Sequence, residues 1–406
     1  MDDGFQSQFQ GETDGLQTRV PVGELLTEAH FDAERERIFR RSWLYIGRES
    51  DVPEKGSHMV RDLPFLKTSL LIVRGEDGQV RCFHNLCTHR GNKLVRGGAG
   101  CSRYLTCGFH GWTFETDGTL GTITDEHQFR DLDRSKLNLP QVHTECWEGL
   151  VFINLEKEPS VNLAEWLGEM YGQYEGYFDR LVCATRMRVV VNCNWNLAVN
   201  SFIEGYHTKY IHHNSVPDYQ GGRVNPQRHR PWMELFERHH RYSAPANPDH
   251  KYTAAEAIAW NWGKRCIPSF DGDMTGMPPG VNPGRVDNWA FDIVQFFPNI
   301  VMAVSNHRLM EMQFWPIDVN HTEFIGTVYL YPPKDLGERI SQEFVRSRAR
   351  QVVFEDLNTL EAQHQMLSSG QLTHLQLSQQ EIAVQHHFKV AGDMLGNRGE
   401  WDHGQY

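Results

Sequence analysis

Two short stretches decide how this chain is interpreted: Cys87-Thr88-His89-Arg90-Gly91 and Cys107-Gly108-Phe109-His110-Gly111-Trp112. Read as ligands, they give Cys-x-His, seventeen intervening residues, and Cys-x-x-His. Two thiolates with two imidazoles suit zinc or a [2Fe–2S] cluster in which two histidines ligate one iron. The first pair is spaced more closely than zinc ligands usually are, so the pattern favours the iron cluster, a Rieske centre. The predicted cluster ligands are Cys87, His89, Cys107 and His110.

Composition limits the class of protein. The 406 residues are 39% hydrophobic and 11% aromatic, enough apolar material for two or so domains with large cores. The net charge of −12 argues against a nucleic-acid partner, because nucleic-acid binding needs a basic surface that replaces counterions. The loop between the two stretches is locally positive, which predicts either a docking surface for an acidic electron donor or only a solvated loop. Its basic residues are Arg90, Lys93, Arg96 and Arg103.

The eight cysteines lack the density of a disulfide-rich secreted scaffold. Cys82-Phe83-His84 is a competing Cys-x-His, but it lies in a strand-like run without a following Arg-Gly, so we interpret Cys82, His84 and Cys101 as structural. The acidic, polar N-terminus has no signal-peptide pattern, and no apolar run is long enough to span a bilayer. We therefore expect a soluble, cytoplasmic protein.

A second candidate metal motif begins at Glu204-Gly205-Tyr206-His207 and continues to His212, giving Glu-x-x-His-x-x-x-x-His. Two histidines and one carboxylate form the iron-binding set of non-haem Fe(II) oxygenases. Five residues cover about 500° of helix, so the two imidazoles would diverge by roughly 140° on a regular helix. We therefore predict that a helix unwinds or bulges between Thr208 and Ile211. His213 competes as the second ligand, and geometry alone does not choose.

Together with these motifs, the chain from about Phe31 to Leu395 resembles the oxygenase (α) subunits of the Rieske non-haem iron oxygenases of the ring-hydroxylating type. Arg90-Gly91 after the first pair and Gly111-Trp112 after the second belong to the family pattern. Gly108-Phe109 departs from it, because Pro-Tyr is commoner there. We expect the departure to alter loop packing and to leave the ligands unchanged.

The resemblance implies the remaining iron ligands. It selects His212 over His213, and it places the third ligand at Asp356 in a predicted C-terminal helix. Glu355 and Glu361 are the alternatives, because they lie on the same predicted helix. Without the resemblance each acid would be a weak candidate, because charged helix faces are usually only solvated.

The resemblance also gives Glu204 a role. Three residues before His207, its carboxylate can reach that imidazole, although it could also be a plain surface residue. The family most often has Asp here, and it joins the iron histidine to a cluster histidine of the neighbouring subunit. By analogy Glu204 would join His207 to His110 across the interface of a homotrimer. The longer glutamate occurs in the branch that resembles quaternary-ammonium oxygenases.

The predicted fold class is α+β with three parts. Residues 1–41 form an N-terminal tail and a helix that packs on the catalytic domain, and residues 42–155 form an all-β Rieske [2Fe–2S] domain. Residues 156–406 form a mononuclear-iron catalytic domain. The resemblance gives this domain the helix-grip (START-like) fold, with an antiparallel sheet and a long C-terminal helix. Periodicity predicts helices over 335–367 and 378–395, and long loops with short helices over 214–290.

The predicted function is that of a terminal oxygenase component. It would use O2, and electrons from NAD(P)H would arrive through a separate reductase or ferredoxin, because the chain lacks a dinucleotide-binding glycine fingerprint. The product could come from monohydroxylation, dihydroxylation or demethylation of a small organic substrate, expected to be aromatic. A β subunit is compatible with the pattern. The rival interpretations are a quaternary-ammonium oxygenase, a Rieske electron carrier with a ligand-binding domain that holds no iron, and a zinc-stapled binding module.

The sequence offers five aromatic residues as possible pocket walls, although such residues are more often core packing. They are Trp232, Trp260, Trp262, Phe296 and Phe297.

Overall fold

The computed structural model describes residues 9–11, 13–179, 181–216, 232–263 and 274–396. Residues 1–8 and 12 of the predicted N-terminal tail, residue 180, parts of the predicted loop region (217–231 and 264–273, with Cys266) and residues 397–406 lie outside this description. The chain divides into two compact units, Phe39–Glu165 and Met1–Ile38 together with Trp166–Tyr406. We call the first the cluster unit and the second the catalytic unit.

The strands of the cluster unit run from β3 to β11, and β1, β2 and β12 to β19 belong to the catalytic unit. In chain order they are β1 (Phe9–Gln10), β2 (Arg19–Pro21), β3 (Leu44–Arg48), β4 (Ser57–Leu63), β5 (Thr68–Arg74), β6 (Val80–His84), β7 (Ala99–Cys101), β8 (Leu105–Thr106), β9 (Thr113–Phe114), β10 (Gln141–Trp147), β11 (Leu150–Asn154), β12 (Val182–Val191), β13 (Trp232–Leu235), β14 (His240–Pro245), β15 (Trp289–Phe296), β16 (Ile300–Val304), β17 (Arg308–Asp318), β18 (His321–Leu330) and β19 (His374–Gln376).

The helices are α1 (Glu28–Glu34), α2 (Leu163–Leu167), α3 (Trp195–Asn200), α4 (Thr208–Ile211), α5 (Ala254–Trp262), α6 (Leu336–Leu367) and α7 (Ile382–Leu395). Short π and 3-10 turns extend several of these elements.

The cluster unit is an antiparallel sheet with strand order β3-β11-β10-β6-β5-β4-β7, beside the small β8-β9 hairpin. β5 and β6 pair antiparallel across the turn Gly75-Glu76-Asp77-Gly78, and β6 is followed closely by Cys87. Strand β8 ends just before the second Cys-His pair, β9 begins just after it, and the two strands pair antiparallel. Phe83, Trp112 and Phe114 are buried together in the core below the two loops. The sheet thus holds both predicted cluster loops against one apolar core.

This unit ends later than the predicted domain boundary at residue 155. The Trp43 indole Nε1 donates to the Val161 carbonyl at 2.9 Å, and the Leu163 N–H donates to Glu145 at 3.4 Å. These bonds keep the segment after β11 with the cluster unit up to Glu165.

The catalytic unit is an eight-stranded sheet with strand order β1-β13-β14-β15-β16-β17-β18-β12. The described strand pairs are antiparallel except β1 with β13. The 32-residue helix α6 begins where the Asp335 side chain accepts from the Glu338 N–H at 2.8 Å, an N-cap that satisfies a terminal donor. α6 contacts α3, α5, β12 and β18. The α+β class, with an antiparallel sheet and a long C-terminal helix, is confirmed.

The interpretation of residues 214–290 as loops and short helices was wrong in its described part. It contains β13 and β14 as well as α5. β13 alternates in burial over only four residues, and nearly every residue of β14 is buried, including His240 and Arg241. So short a run, and one so rich in buried polar residues, shows no clear strand periodicity in the sequence.

No helix within the described ranges combines the length and the hydropathy that a bilayer-spanning segment needs.

Candidate metal centres

The two cluster loops have the same backbone hydrogen bond. The Cys87 carbonyl accepts from the Gly91 N–H at 2.8 Å, and the Cys107 carbonyl accepts from the Gly111 N–H at 3.0 Å. Both glycines have φ of 75°, a left-handed conformation that side chains with a Cβ rarely adopt. The glycine at the end of each stretch therefore closes a tight turn that presents the cysteine and histidine of that loop on its tip.

The side chains of the two loops meet in a mostly buried cluster. His89 stacks on Trp112 with ring centroids 4.6 Å apart and lies 4.7 Å from the His110 ring. The thiols of Cys87 and Cys107 are buried, and the Asn92 amide donates to the Cys107 Sγ atom at 3.6 Å. The structure thus brings all four predicted cluster ligands together.

This cluster of side chains fits a metal group. The Nδ1 atom of His89 is buried and has no hydrogen-bond partner among the described residues, which is costly unless a metal takes its lone pair. Burial raises the pKa of the Cys87 thiol to about 11, so a metal that binds there must displace its proton. Two thiols with two imidazoles are the ligand set of a Rieske cluster.

The positive loop beside the cluster is partly neutralised. The Lys93 ammonium lies 2.7 Å from the Asp62 carboxylate. The Arg90 guanidinium lies 5.6 Å above the ring of Phe109, which is 55% exposed and 3.8 Å from the His110 ring. The unusual phenylalanine therefore forms an exposed aromatic surface beside the predicted ligand His110.

The second motif is not arranged as the helix argument predicted. α3 ends at Asn200, and an irregular turn of residues 201–207 carries Glu204 and His207. The predicted unwound stretch, Thr208–Ile211, is instead the short helix α4. The distortion therefore lies before His207 and not after it. Glu204 is not on a helix, yet its carboxylate contacts the His207 ring.

The turn and α6 together form a compact group of three ligand atoms. The Asp356 Oδ1 atom lies 3.5 Å from the His207 Nε2 atom and 3.2 Å from the His212 Nε2 atom. The donor atoms of the three residues all lie within 4.8 Å of one another. His213 is exposed, and its Nδ1 atom bonds the Tyr210 carbonyl at 2.6 Å. The structure therefore brings together His207, His212 and Asp356 and leaves His213 outside.

This group also fits a metal ion. Asp356 is only 4% exposed, and its Oδ1 atom has no hydrogen-bond partner among the described residues. A buried unpaired carboxylate oxygen is expensive, and a cation held between it and two imidazoles removes that cost. Two histidines and one carboxylate that leave other positions open are the set typical of mononuclear non-haem Fe(II).

A carboxylate stands behind each histidine of the group. Glu204 contacts the His207 Nδ1 atom, and Glu355 lies 3.0 Å from the His212 Nδ1 atom. A carboxylate at Nδ1 keeps the proton there, so each Nε2 atom presents its lone pair to the metal. Burial alone lowers the pKa of His207, but Glu204 and Asp356 outweigh it and raise that pKa to about 9.

The two alternative acids on α6 have other contacts. Glu355 also accepts from the Ser215 hydroxyl at 2.6 Å, and Glu361 accepts from the Asn192 backbone N–H at 3.1 Å. The supporting role of Glu355 was missed, because it depends on the packing of α6 against the segment after His212. Its position next to Asp356 was the one available signal.

A cavity of about 170 Å³ opens from the three ligand atoms inside the catalytic unit. Its walls are mostly apolar, with Phe202, Phe291, Ile293, Met310, Met312 and Phe344 among them. Arg308 and Arg348 also line the cavity, and neither was predicted as a site residue. None of the five aromatic residues singled out as possible walls is among the described lining residues.

Two family models match the chain. A model of the ring hydroxylating alpha subunit (catalytic domain) matches residues 178–397, and a model of the Rieske [2Fe-2S] domain matches residues 42–141.

Curated relatives include oxygenases of two kinds. The biphenyl 2,3-dioxygenase subunit alpha of Rhodococcus jostii (strain RHA1) is 32% identical over 193 residues, which cover 46% of this chain and 41% of that subunit. The carnitine monooxygenase oxygenase subunit of Acinetobacter baumannii is 26% identical over 204 residues, which cover 50% of this chain and 54% of that subunit. The matched stretch thus spans about half the length of these relatives.

Solved structures share the fold over most of the chain. A naphthalene 1,2-dioxygenase from Rhodococcus sp. bound to indole has a TM-score of 0.74 at 18% identity, covering 94% of this chain and 95% of that one. A quaternary ammonium Rieske monooxygenase in complex with L-carnitine has a TM-score of 0.70 at 20% identity, covering 91% and 94%. At such low identity these likenesses concern the fold alone.

Proposed function

The chain belongs to the ring-hydroxylating alpha-subunit family and carries a Rieske [2Fe–2S] domain, and on this premise we propose that it is the terminal oxygenase component of a multicomponent system. The two domains imply a Rieske cluster and one mononuclear iron. In the proposal Cys87, His89, Cys107 and His110 hold the cluster, and His207, His212 and Asp356 hold the Fe(II).

One observation carries the proposal. The Nε2 atoms of two histidines and an unpaired oxygen of Asp356 converge at the end of a mostly apolar cavity. A metal held there has protein on one side and substrate space on the other, which is the arrangement that an oxygenase needs. If the chain were a Rieske electron carrier with a ligand-binding domain that holds no iron, it would not need a buried carboxylate oxygen that faces two imidazoles.

The iron, when bound, supplies the activation of O2 with electrons delivered one at a time. The chain's own residues fix the geometry: Glu204 and Glu355 hold the protons on the Nδ1 atoms and so orient both histidines. The apolar walls exclude water and hold the substrate near the metal. Electrons come from NAD(P)H through a separate reductase or ferredoxin, which meets the cluster unit beside its positive loop.

The proposed substrate is a small organic molecule, in the first instance an aromatic one, as for the biphenyl and benzene dioxygenase relatives. The second candidate is a quaternary ammonium compound, which the carnitine monooxygenase relatives favour. The same ligands serve monohydroxylation, dihydroxylation and demethylation. The ligand set therefore does not choose among these reactions. A role in aromatic catabolism and a cytoplasmic location stay predictions.

We further propose a homotrimer in which Glu204 is the catalytic link between His207 of one copy and His110 of the next. The contact of Glu204 with the His207 ring supports one half of this link. A β subunit remains compatible with the proposal.

Oxygen uptake and product analysis test the function. Reconstituted protein with a surrogate reductase and NADH is offered a panel of aromatic hydrocarbons, aromatic acids and betaines. We expect substrate-dependent oxygen uptake that yields a hydroxylated or demethylated product with at least one class. A chain that accepts electrons at its cluster but oxygenates no member of the panel, and binds only the two cluster irons, would be the electron carrier instead.

A further inference from the structure

The cavity contains two positive side chains in a mostly apolar wall. They are the guanidinium groups of Arg308 and Arg348. A cation in an apolar surrounding loses much of its hydration, so it strongly favours a ligand that carries a negative charge. Their position relative to the metal decides whether they belong to the chemistry or to substrate recognition.

Arg308 begins β17, at the end of the strand that lies away from the metal group. Strand alternation puts Arg308, Met310 and Met312 on one face, and all three line the cavity. Phe314 continues this face and packs on Phe202, with ring centroids 5.4 Å apart. Phe202 precedes Glu204 by two residues, so the Phe314 end is the metal end. Arg308 lies about 14 Å before Met312 along the strand.

Helix α6 also runs between the metal group and a part of the cavity that lies away from it. Asp356 and Arg348 both line the cavity from α6, and eight residues of helix separate them by about 12 Å. The Arg348 guanidinium donates to the Glu256 carboxylate at 2.6 Å. Arg348 is therefore a balanced charge at a distance from the ligand Asp356.

A hydrogen bond between α6 and the end of the sheet shows which end of the helix lies beside Arg308. The Gln342 amide donates to the Tyr331 carbonyl at 2.8 Å, and Tyr331 directly follows Leu330. Leu330 is the residue of β18 that pairs with Arg308. The first turns of α6 and the Arg308 end of β17 thus lie at the same end of the unit, and Asp356 lies toward the other.

The acids that line the cavity are committed to the metal group. Glu204 contacts the His207 Nδ1 atom, and Asp356 faces both Nε2 atoms. A guanidinium has five N–H donors in a planar fork that matches a carboxylate, so Arg308 can bind an incoming carboxylate in addition to its contacts within the protein. The cavity therefore has a metal end and a positive end.

We propose that the substrate carries a carboxylate, which Arg308 binds while the apolar body lies over Met310 and Met312 toward the metal end. The inference rests on the proposed function in taking this cavity as the substrate site. A designed cavity of about 150 Å³ holds benzene, so a volume of about 170 Å³ suits one ring or an aliphatic chain of similar bulk. Aromatic acids and betaines share the carboxylate, and the test separates them.

Binding of matched ligand pairs by the metal-loaded enzyme, measured anaerobically by calorimetry without a reductase, tests the proposal. Benzoate is compared with benzamide, and glycine betaine with choline, so that each pair differs chiefly in the carboxylate. The variants are Arg308→Gln, Arg308→Lys and the control Arg339→Gln, which removes the same charge from an exposed position on α6.

We expect the acid of at least one pair to bind the wild type and Arg339→Gln equally, and to bind Arg308→Gln roughly 10- to 100-fold more weakly. Arg308→Lys should lose less, because it keeps the charge and loses the fork. If Arg308→Gln does not fold, judged by melting and iron content, the lysine variant decides by the same comparison. The pair that responds identifies an aromatic acid or a betaine as the ligand class.

Equal binding of acid and neutral analogue, or equal binding of the acid to Arg308→Gln and Arg339→Gln, overturns the proposal. So does the absence of acid binding, even where neutral substrates are oxygenated and the oxygenase function stands. Acid binding that depends on Arg308 supports the subsite even in a preparation that consumes no oxygen, so the two proposals fail separately.

Discussion

The two metal sites differ in how the chain assembles them. All four cluster ligands lie between Cys87 and His110, on two loops with the same glycine-closed turn. The mononuclear site takes His207 and His212 from a turn and a short helix, and Asp356 from a helix more than a hundred residues later. Local backbone geometry shapes the first site, whereas packing of distant elements shapes the second.

The sites also differ in charge. The cluster loops meet as thiols and imidazoles around Trp112. The mononuclear site gathers three carboxylates, Glu204, Glu355 and Asp356, around two imidazoles. Asp356 is buried and the other two carboxylates are half-buried, so their combined negative charge favours a bound cation such as the proposed iron. We therefore expect the arrangement of the mononuclear site to depend more on its bound metal than the arrangement of the cluster loops does.

The largest expected effect comes from removing one ligand at each site. Asp356→Ala should lose the mononuclear iron and keep the red-brown cluster, because the cluster unit does not contain Asp356. His89→Ala should lose the cluster and keep the single iron. Both variants should lose all substrate oxygenation. Iron content and the visible spectrum of each purified variant check this double separation.

Loss of both metals from either variant would contradict the view that each unit holds its own metal. A wild-type preparation treated in parallel controls for incomplete loading.

The next largest effect is expected from Glu204→Gln. The amide oxygen still accepts from the His207 Nδ1–H, so both metals should stay bound. The negative charge that couples the sites in the proposed trimer is gone, so turnover should nearly cease. Metal analysis combined with steady-state oxygen uptake measures both effects. Normal activity in this variant would refute the proposed link.

A smaller effect is expected from Glu355→Gln, which weakens the support behind His212. Removing such a support typically costs roughly 10- to 100-fold in metal affinity or activity. We expect this loss in Fe(II) affinity, measured by equilibrium titration of the metal-free mononuclear site, with an unchanged cluster spectrum. Glu361→Gln on the same helix is the matched control, because Glu361 bonds Asn192 and not a ligand. Equal affinities in the two variants would remove Glu355 from the site.

The smallest effect is expected from Gly91→Ala in a cluster loop. Gly91 has φ of 75°, and a Cβ there would meet nothing within 4 Å, so the cost is purely conformational. It should lower the free energy of unfolding of the cluster unit by about 1–2 kcal/mol. Gly108→Ala is the control, since Gly108 has equal space without a positive φ. Urea unfolding followed through the visible absorbance compares the two, and equal midpoints would contradict the local-geometry account.

The same contrast explains what the sequence could predict. The cluster ligands and their closing glycines are close in the chain, so spacing alone indicates their chemistry. The long helix α6 was predicted over 335–367, nearly the range Leu336–Leu367 that it has in the structure. The choice of Asp356 required the resemblance to a family, because several acids share that helix.

Other features depend on tertiary packing and left no clear pattern. The bend before His207 replaced the predicted bulge after it, because α3 ends at Asn200. Glu355, Ser215 and Arg308 gain their positions only when α6 and β17 pack around the cavity. In the sequence, a single arginine at the start of a strand cannot be distinguished from an exposed one, because its position in the cavity depends on the folded sheet.

The most direct test of the central claim, two different iron sites in one chain, is Mössbauer spectroscopy of protein reconstituted with iron-57. The account predicts about three irons per chain, with a cluster signal and a separate high-spin Fe(II) signal in a ratio of about two to one. It also predicts that Asp356→Ala removes the Fe(II) signal alone. A spectrum with the cluster signal only, in fully loaded wild-type protein, would contradict the account.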